Sequence, residues 1–194
     1  LLAAVDSSVG GKTGIDLEQG KNLVGAFYQP SAVLCDTDTL DTLPDNIFRD
    51  GCAEVLKYGI LYDPELWDHL AQHGLAFHRE QVIARCVELK RDVVMEDEFD
   101  TGARMKLNLG HTIGHGVESA AAGSLYHGEC VALGMLPLCG AAIRPRVINV
   151  LKKCDLYRKM EYNWDAIAKA AFHDKKADGD TVTVITVSEI GCFE

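Results

Sequence analysis

The residues best suited to chemistry sit together in Arg104-Met105-Lys106-Leu107-Asn108-Leu109-Gly110-His111-Thr112-Ile113-Gly114-His115. On a continuous helix, spacings of four, three and four bring Arg104, Asn108, His111 and His115 to one face. Two imidazoles at i and i+4 can offer nitrogens to one cation, and zinc takes histidine nitrogen at about 2.0–2.1 Å. The same pair also suits two half-buried histidines that cap or pack. Protease chemistry is excluded, because Thr112 stands where the H-E-x-x-H helix needs its glutamate base.

Two further segments extend this constellation. His127, in Tyr126-His127-Gly128-Glu129, lies at the start of the apolar helix that continues from Cys130. The positive end of the helix dipole there favours a neutral imidazole able to bind metal, although a solvent-facing histidine fits the same position. In Cys52-Ala53-Glu54-Val55-Leu56-Lys57-Tyr58-Gly59-Ile60, Glu54 and Lys57 fall at i and i+3 in apolar company, where an unpartnered charge is costly. A carboxylate with two or three imidazoles leaves a coordination position open for a substrate hydroxyl, as catalytic zinc sites do.

The remaining chemistry is cationic. Lys12, Lys21, Lys57, Lys90, Arg104 and the Lys175-Lys176 pair could line an anion pocket, though each also reads as a solvated surface charge. For Lys90, within Glu88-Leu89-Lys90-Arg91-Asp92, the surface reading is favoured. Gly10-Gly11-Lys12-Thr13 resembles the end of a phosphate-binding loop of the G-x-x-x-x-G-K-[ST] type. The first glycine of that pattern would be residue 6, which is Asp6, and a carboxylate facing phosphates excludes a nucleotide triphosphatase.

The elements that must position these groups change character along the chain. Residues 1 to about 45 alternate short apolar runs with glycine-rich and turn-like stretches and read as loop and strand, with Leu1 to Val5 resembling the inside of a strand. From Pro44 onward the apolar period is helical, predicting helices near 45–61, 64–73, 79–96, 103–121, 128–143, 145–153 and 163–172. Thr181-Val182-Thr183-Val184-Ile185-Thr186-Val187 is a β-branched strand candidate. The fold class is therefore mainly α.

Composition limits the function classes. The 194 residues are 47% hydrophobic and 25% charged, values of an ordinary globular chain rather than a disordered or fibrous one. A net charge of −10 argues against nucleic acid as a partner, because phosphate neutralisation needs clustered Lys and Arg. Apolar runs fall well short of the ~20 residues a bilayer requires, so no membrane partner is expected. The seven cysteines include no C-x-x-C pair and read as reduced thiols of a cytoplasmic protein. The opening Leu1-Leu2-Ala3-Ala4-Val5 has no Met or basic n-region, as expected of an N-terminally truncated sequence without a signal peptide.

Taken in order, the motifs resemble the 3-dehydroquinate synthase family. They run from Val5-Asp6-Ser7-Ser8-Val9-Gly10-Gly11-Lys12-Thr13 and Gly20-Lys21-Asn22 through Gly25-Ala26-Phe27-Tyr28-Gln29-Pro30 and Ala53-Glu54-Val55-Leu56-Lys57-Tyr58-Gly59. They continue through Asn108 to His115 and His127-Gly128-Glu129 to His173-Asp174-Lys175-Lys176, so the resemblance covers essentially the whole chain. It implies a two-domain α/β + α enzyme in which residues 1–44 close a Rossmann-like NAD-binding domain and residues 45–194 form the helical zinc- and substrate-binding domain. Glu54, His111 and His127 are then the metal ligands, for zinc or cobalt. Lys57, His115, Asn108 and Arg104 take catalytic roles, and Asp6, Lys12, Asn22, Lys90 and one of Lys175 and Lys176 contact substrate. Lys21 and Thr42 approach NAD.

The implied reaction converts 3-deoxy-D-arabino-heptulosonate 7-phosphate to 3-dehydroquinate and phosphate, in a homodimer of the shikimate pathway. Sugar-phosphate cyclases that make 2-deoxy-scyllo-inosose or valiolone resemble the same scaffold, but the Arg104 and Asn108 pairing looks like the dehydroquinate type. No G-x-G-x-x-G glycine fingerprint is present, so these 194 residues taken alone would bind NAD weakly and turn over little. A zinc-binding helical module without catalysis is the rival reading. Cys130 occupies a place where the family more often has Ala, which is expected to alter packing or thiol reactivity and leave the ligands intact.

Overall fold

The computed structural model describes residues 1–18, 20–173, 177–178 and 181–194. Among these the chain is mainly helical. A hairpin of β1 (Ile15–Leu17) and β2 (Gly20–Val24) precedes α1 (Asp45–Leu61), α2 (Pro64–His73), α3 (Arg79–Glu96), α4 (His111–Ala121), α5 (His127–Met135), α6 (Arg144–Lys153) and α7 (Trp164–His173). The short antiparallel pairs β3 (Ala177–Asp178) with β4 (Thr181–Val182), and β5 (Val187–Glu189) with β6 (Cys192–Phe193), follow. Among the described residues, no helix is long and apolar enough to cross a membrane.

Three local departures from the sequence pattern matter for the site. Leu1 to Val5 is not a strand: Ala3–Ser7 form one π-helical turn, with Ser8 N–H donating to Ala3 O at 3.1 Å. Val5 and Leu1 are buried in the helical core, and among the described residues no strand pairs with them. The helix expected over 103–121 is broken. Ala103–Asn108 is a 3-10 segment, Leu109 is extended, and Gly110 turns through φ +79° before α4 begins. A side chain on Gly110 would meet Met135 Cγ at 2.5 Å and Val131 O at 2.6 Å, so α5 presses directly on the break. Finally, the strand candidate at 181–187 divides because its ends pair with different partners, Ala177–Asp178 at one and Cys192–Phe193 at the other.

The centre of the core is α5. Every residue from Gly128 to Met135 is buried, so this helix is enclosed on all sides and packs between α1 and α4. Its first turn docks on α1 through a close contact: Gly128 N–H donates to Asp50 Oδ1, and a Cβ on Gly128 would lie 2.0 Å from Asp50 O. Tyr126 and Glu129 close the N-terminus as a capping box, with Tyr126 N–H donating to Glu129 Oε2 at 3.0 Å. Glu129 is held in turn by Arg158 at 2.7 Å. The first residue of α5 is thereby fixed against the middle of α1, and that residue is His127.

Candidate metal centre and anion cavity

Glu54 lies in the buried middle of α1, His111 opens α4 and His127 opens α5. Each offers one ligand atom, and those atoms lie within 4.8 Å of one another. Ligands about 2.0–2.2 Å from a shared ion are spaced somewhat more tightly, so loading asks for a modest contraction.

Hydrogen bonding decides whether these groups suit a cation. His111 Nδ1 is 3.3 Å from Leu109 O, an atom that only accepts, so the proton belongs on Nδ1. Burial, followed by the nearby Lys57 ammonium, lowers the His111 pKa and keeps the imidazole neutral. Its unprotonated Nε2 then faces Glu54 Oε1 at 3.3 Å. Two lone pairs pointing at each other in a buried site are what a bound cation would reconcile. Glu54 itself is 2% exposed. Burial alone would raise its pKa, but the Lys57 ammonium holds the carboxyl well below the usual range. Its Oε2 is paired with the buried Lys57 ammonium. The donor set of two imidazoles and one carboxylate fits a divalent transition metal such as zinc.

Beside this centre is a cavity of about 190 Å³ lined by Asp6, Lys12, Glu54, Lys57, Lys90, Arg104, Asn108, His111 and His127, together with Leu2, Ser7 and Leu107. Asp6, presented by the π-helical turn, organises the cations. Lys90 Nζ donates to Asp6 O at 2.5 Å and pairs with Asp6 Oδ1, Lys57 Nζ lies 3.4 Å from Oδ2, and Tyr58 OH donates to the same oxygen at 3.0 Å. Lys90 is thus 5% exposed and not the surface lysine its charged neighbours suggested. The signal was present in helical phase: Cys86, Lys90 and Val93 share the buried face of α3. Burial, opposed by Asp6, leaves the Lys90 pKa lowered, whereas Lys57, buried but flanked by Glu54 and Asp6, has its pKa raised.

Arg104 reaches the cavity from the 3-10 segment rather than from α4, so it shares no helix face with His111. Its Nη1 donates to Gly10 O at 2.8 Å and to Glu98 O at 3.1 Å, while its own N–H donates to Asp97 Oδ2 at 3.0 Å. The glycine-rich segment therefore wraps a guanidinium. A Cβ on Gly10, at φ +104°, would lie 2.1 Å from Arg104 Nη2. Lys12, on the cavity rim, pairs with Asp100. His115 sits behind the centre, its ring 5.7 Å from His111 and 5.9 Å from His127.

Of the other predicted residues with described side chains, Thr42 is not brought to the cavity. Thr42 is exposed and donates its hydroxyl to Thr39 O at 2.9 Å. Lys21 and Asn22 have their backbone in β2, with side chains outside the described set, and Lys175 and Lys176 lie outside the described residues. Sequence reasoning missed Asp50, Tyr58 and Glu118. Helical spacing held the clue, since Asp50 and Tyr58 are each four residues from Glu54, and Glu118 is seven from His111. A separate cavity of about 420 Å³ at Phe48, His69, His73, Phe77, His78 and Arg79 contains none of the predicted residues.

Comparison with known proteins matches residues 1–50 to the model of the 3-dehydroquinate synthase N-terminal region and residues 51–177 to that of the C-terminal region. The chain belongs to the 3-dehydroquinate synthase family. It is 41% identical to the 3-dehydroquinate synthase of Streptococcus gordonii and 41% identical to that of Enterococcus faecalis, in both cases over 98% of this chain and 58% of the relative. It therefore spans somewhat more than half the length of the curated relatives it matches.

Solved structures of sugar-phosphate cyclases share its fold. The 2-epi-5-epi-valiolone synthase ValA of Streptomyces hygroscopicus, solved with NAD+ and Zn2+, matches at a TM-score of 0.86 and 26% identity over 100% of this chain and 59% of its own. A 2-deoxy-scyllo-inosose synthase complexed with carbaglucose-6-phosphate, NAD+ and Co2+ matches at 0.81 and 26% identity over 100% of this chain and 59% of its own.

Proposed function

We propose that this family member works as a 3-dehydroquinate synthase, converting 3-deoxy-D-arabino-heptulosonate 7-phosphate to 3-dehydroquinate and phosphate with NAD and a divalent metal. The reading is carried by one observation: the Glu54, His111 and His127 triad opens onto a cavity lined by Lys12, Lys57, Lys90 and Arg104. A substrate with a carboxylate, a phosphate and ring hydroxyls matches that combination of ligand set and cations.

When bound, a metal at Glu54, His111 and His127 supplies Lewis acidity toward a substrate hydroxyl. Arg104, anchored by two carbonyls, is the fixed fork suited to a carboxylate, and Asn108 beside it offers an amide to a hydroxyl. Lys12 and Lys90 supply positive charge for the phosphate. The Asp6 bridge keeps Lys57 and Lys90 apart and aimed into the cavity, so their fields are set before substrate arrives. His115, adjoining both ligand imidazoles, is assigned proton handling. The glycine-rich segment encloses Arg104, and Thr42 keeps its hydroxyl on Thr39. NAD, the homodimer, the cytoplasmic setting and substrate contacts by Asn22, Lys175 or Lys176 come into the proposal from the family resemblance, with Lys21 and Thr42 at the edge of the cofactor. In the same reading, residues 1–44 close the NAD-binding domain and residues 45–194 form the metal and substrate domain.

The test is phosphate release from the heptulosonate phosphate by the protein expressed from its complete gene, with and without NAD and chelator. Release that needs both NAD and metal, and is lost in Glu54→Gln together with the metal, is the expected result. Glu54→Gln with normal turnover and metal content would overturn the site. Turnover of a sugar phosphate lacking the carboxylate, in preference to the heptulosonate, would favour the cyclase reading that the ValA likeness keeps in view. Metal binding without phosphate release from any of these substrates would leave a noncatalytic metal-binding module.

A further inference from the structure

We propose that Glu118 is a positioning residue for the metal centre, accepting the Nδ1 proton of His127 so that Nε2 is the nitrogen offered to the ion. This rests on the metal-centre reading above and extends it to a residue outside the ligand set.

Glu118 Oε2 lies 3.2 Å from His127 Nδ1, with both side chains about one-third exposed. A carboxylate oxygen accepts, so the contact places a proton on Nδ1 and makes Nε2 the nitrogen available to an ion. His111 shows the same arrangement with a different acceptor, its Nδ1 facing Leu109 O at 3.3 Å while Nε2 points at Glu54. Both ligand imidazoles therefore have Nδ1 engaged by an oxygen, the arrangement that fixes tautomer and ring orientation around metal ions.

The need is greater at His127. Its backbone is fixed by the capping box and by the Gly128 contact with Asp50, but neither restrains the ring. α4 supplies the restraint in phase, because His111, His115 and Glu118 at i, i+4 and i+7 lie along one side of the helix. One helix thus provides a ligand and the acceptor that orients the ligand of its neighbour.

His115, Glu118 and His127 also lie close enough to take an ion of their own, with ligand atoms within 4.8 Å. Electrostatics argues against it. A second divalent charge would share His127 with the first, take Glu118 from Nδ1, and add to the positive field of Lys57, Lys90 and Arg104 around the same cavity.

The test uses zinc competition against a chromophoric chelator and the visible spectrum of the cobalt-loaded protein, for the wild type, Glu118→Ala and Glu118→Gln, each expressed from the complete gene. Glu118→Ala should hold zinc about 10- to 100-fold more weakly and shift the cobalt bands, with the metal-free unfolding midpoint unchanged. Glu118→Gln, which keeps an acceptor oxygen, should recover most of the affinity, and every variant should bind one equivalent at saturation. Wild-type affinity and spectrum in Glu118→Ala would overturn the proposal, as would two equivalents in the wild type falling to one in Glu118→Gln. A wild type that binds no ion would instead refute the metal centre, and this inference with it.

Discussion

Asp97 has no contact with the centre but shapes the segment that delivers Arg104. Its carboxylate accepts N–H bonds from Thr101, Gly102 and Arg104 at 2.9, 2.8 and 3.0 Å and a hydroxyl bond from Thr101. These bonds, led by that from Arg104, hold its pKa below the ordinary 3.8. A depressed folded pKa gives stabilisation that is present above the unfolded value and lost as pH falls through the folded one. Asp97→Asn should therefore lower the unfolding temperature by a constant amount above the ordinary 3.8, with the gap to wild type closing below it. Thermal unfolding of both proteins across that range checks this, and a gap that stays constant into strong acid would contradict it. The same variant should weaken anion binding without loss of metal, since the Asp97 bonds support Arg104 rather than the ligand set.

At the scale of elements, the contact between α1 and α5 sets the distance from Glu54 to His127. Gly128 allows it, because any larger residue would drive a Cβ into Asp50 O at 2.0 Å. Gly128→Ala is expected to separate the helices and cost about 1–3 kcal/mol, a typical overpacking loss. The proposed ligand His127 adjoins the clash, so metal affinity should fall further than in a variant of equal stability cost placed elsewhere in the core. Denaturant unfolding alongside zinc competition measures both quantities. A Gly128→Ala protein with lowered stability and unaltered zinc affinity would show that this contact does not set the ligand spacing.

For the whole molecule, the cysteines report how completely the helical core is closed. Of the seven, Cys192 is exposed and Cys35 partly so, whereas Cys52, Cys86, Cys130, Cys139 and Cys154 are buried. Burial pushes the Cys130 thiol up to about 12 and those of Cys139 and Cys154 up to about 11, so the extra sulfur at Cys130 packs as a small apolar group and is not reactive. An aromatic disulfide reagent at neutral pH should label Cys192 rapidly and Cys35 more slowly, and the other five only after unfolding. Rapid labelling of Cys130 in the native protein would mean that α5 is not the closed centre of the fold.

The sequence by itself determined the chemical inventory and most of the helices. The bounds of α1, α2 and α3 follow from apolar period and from punctuation such as Asp63-Pro64 and Gly74, which act within a few residues of chain. Glu54, His111, His115 and His127 were legible as candidate ligand types because metal chemistry accepts few side chains, and the choice among the histidines came from the family resemblance. Only the tertiary structure decided what those residues do to one another. The break at Gly110 is imposed by α5 pressing on it, the burial of Lys90 by Asp6 arriving on a π-helical turn, and the contact of Glu118 by a histidine nine residues away on the next helix. Contacts of that kind have no period along the chain. They arise where separate elements meet, so a reading confined to neighbours in sequence has nothing to detect.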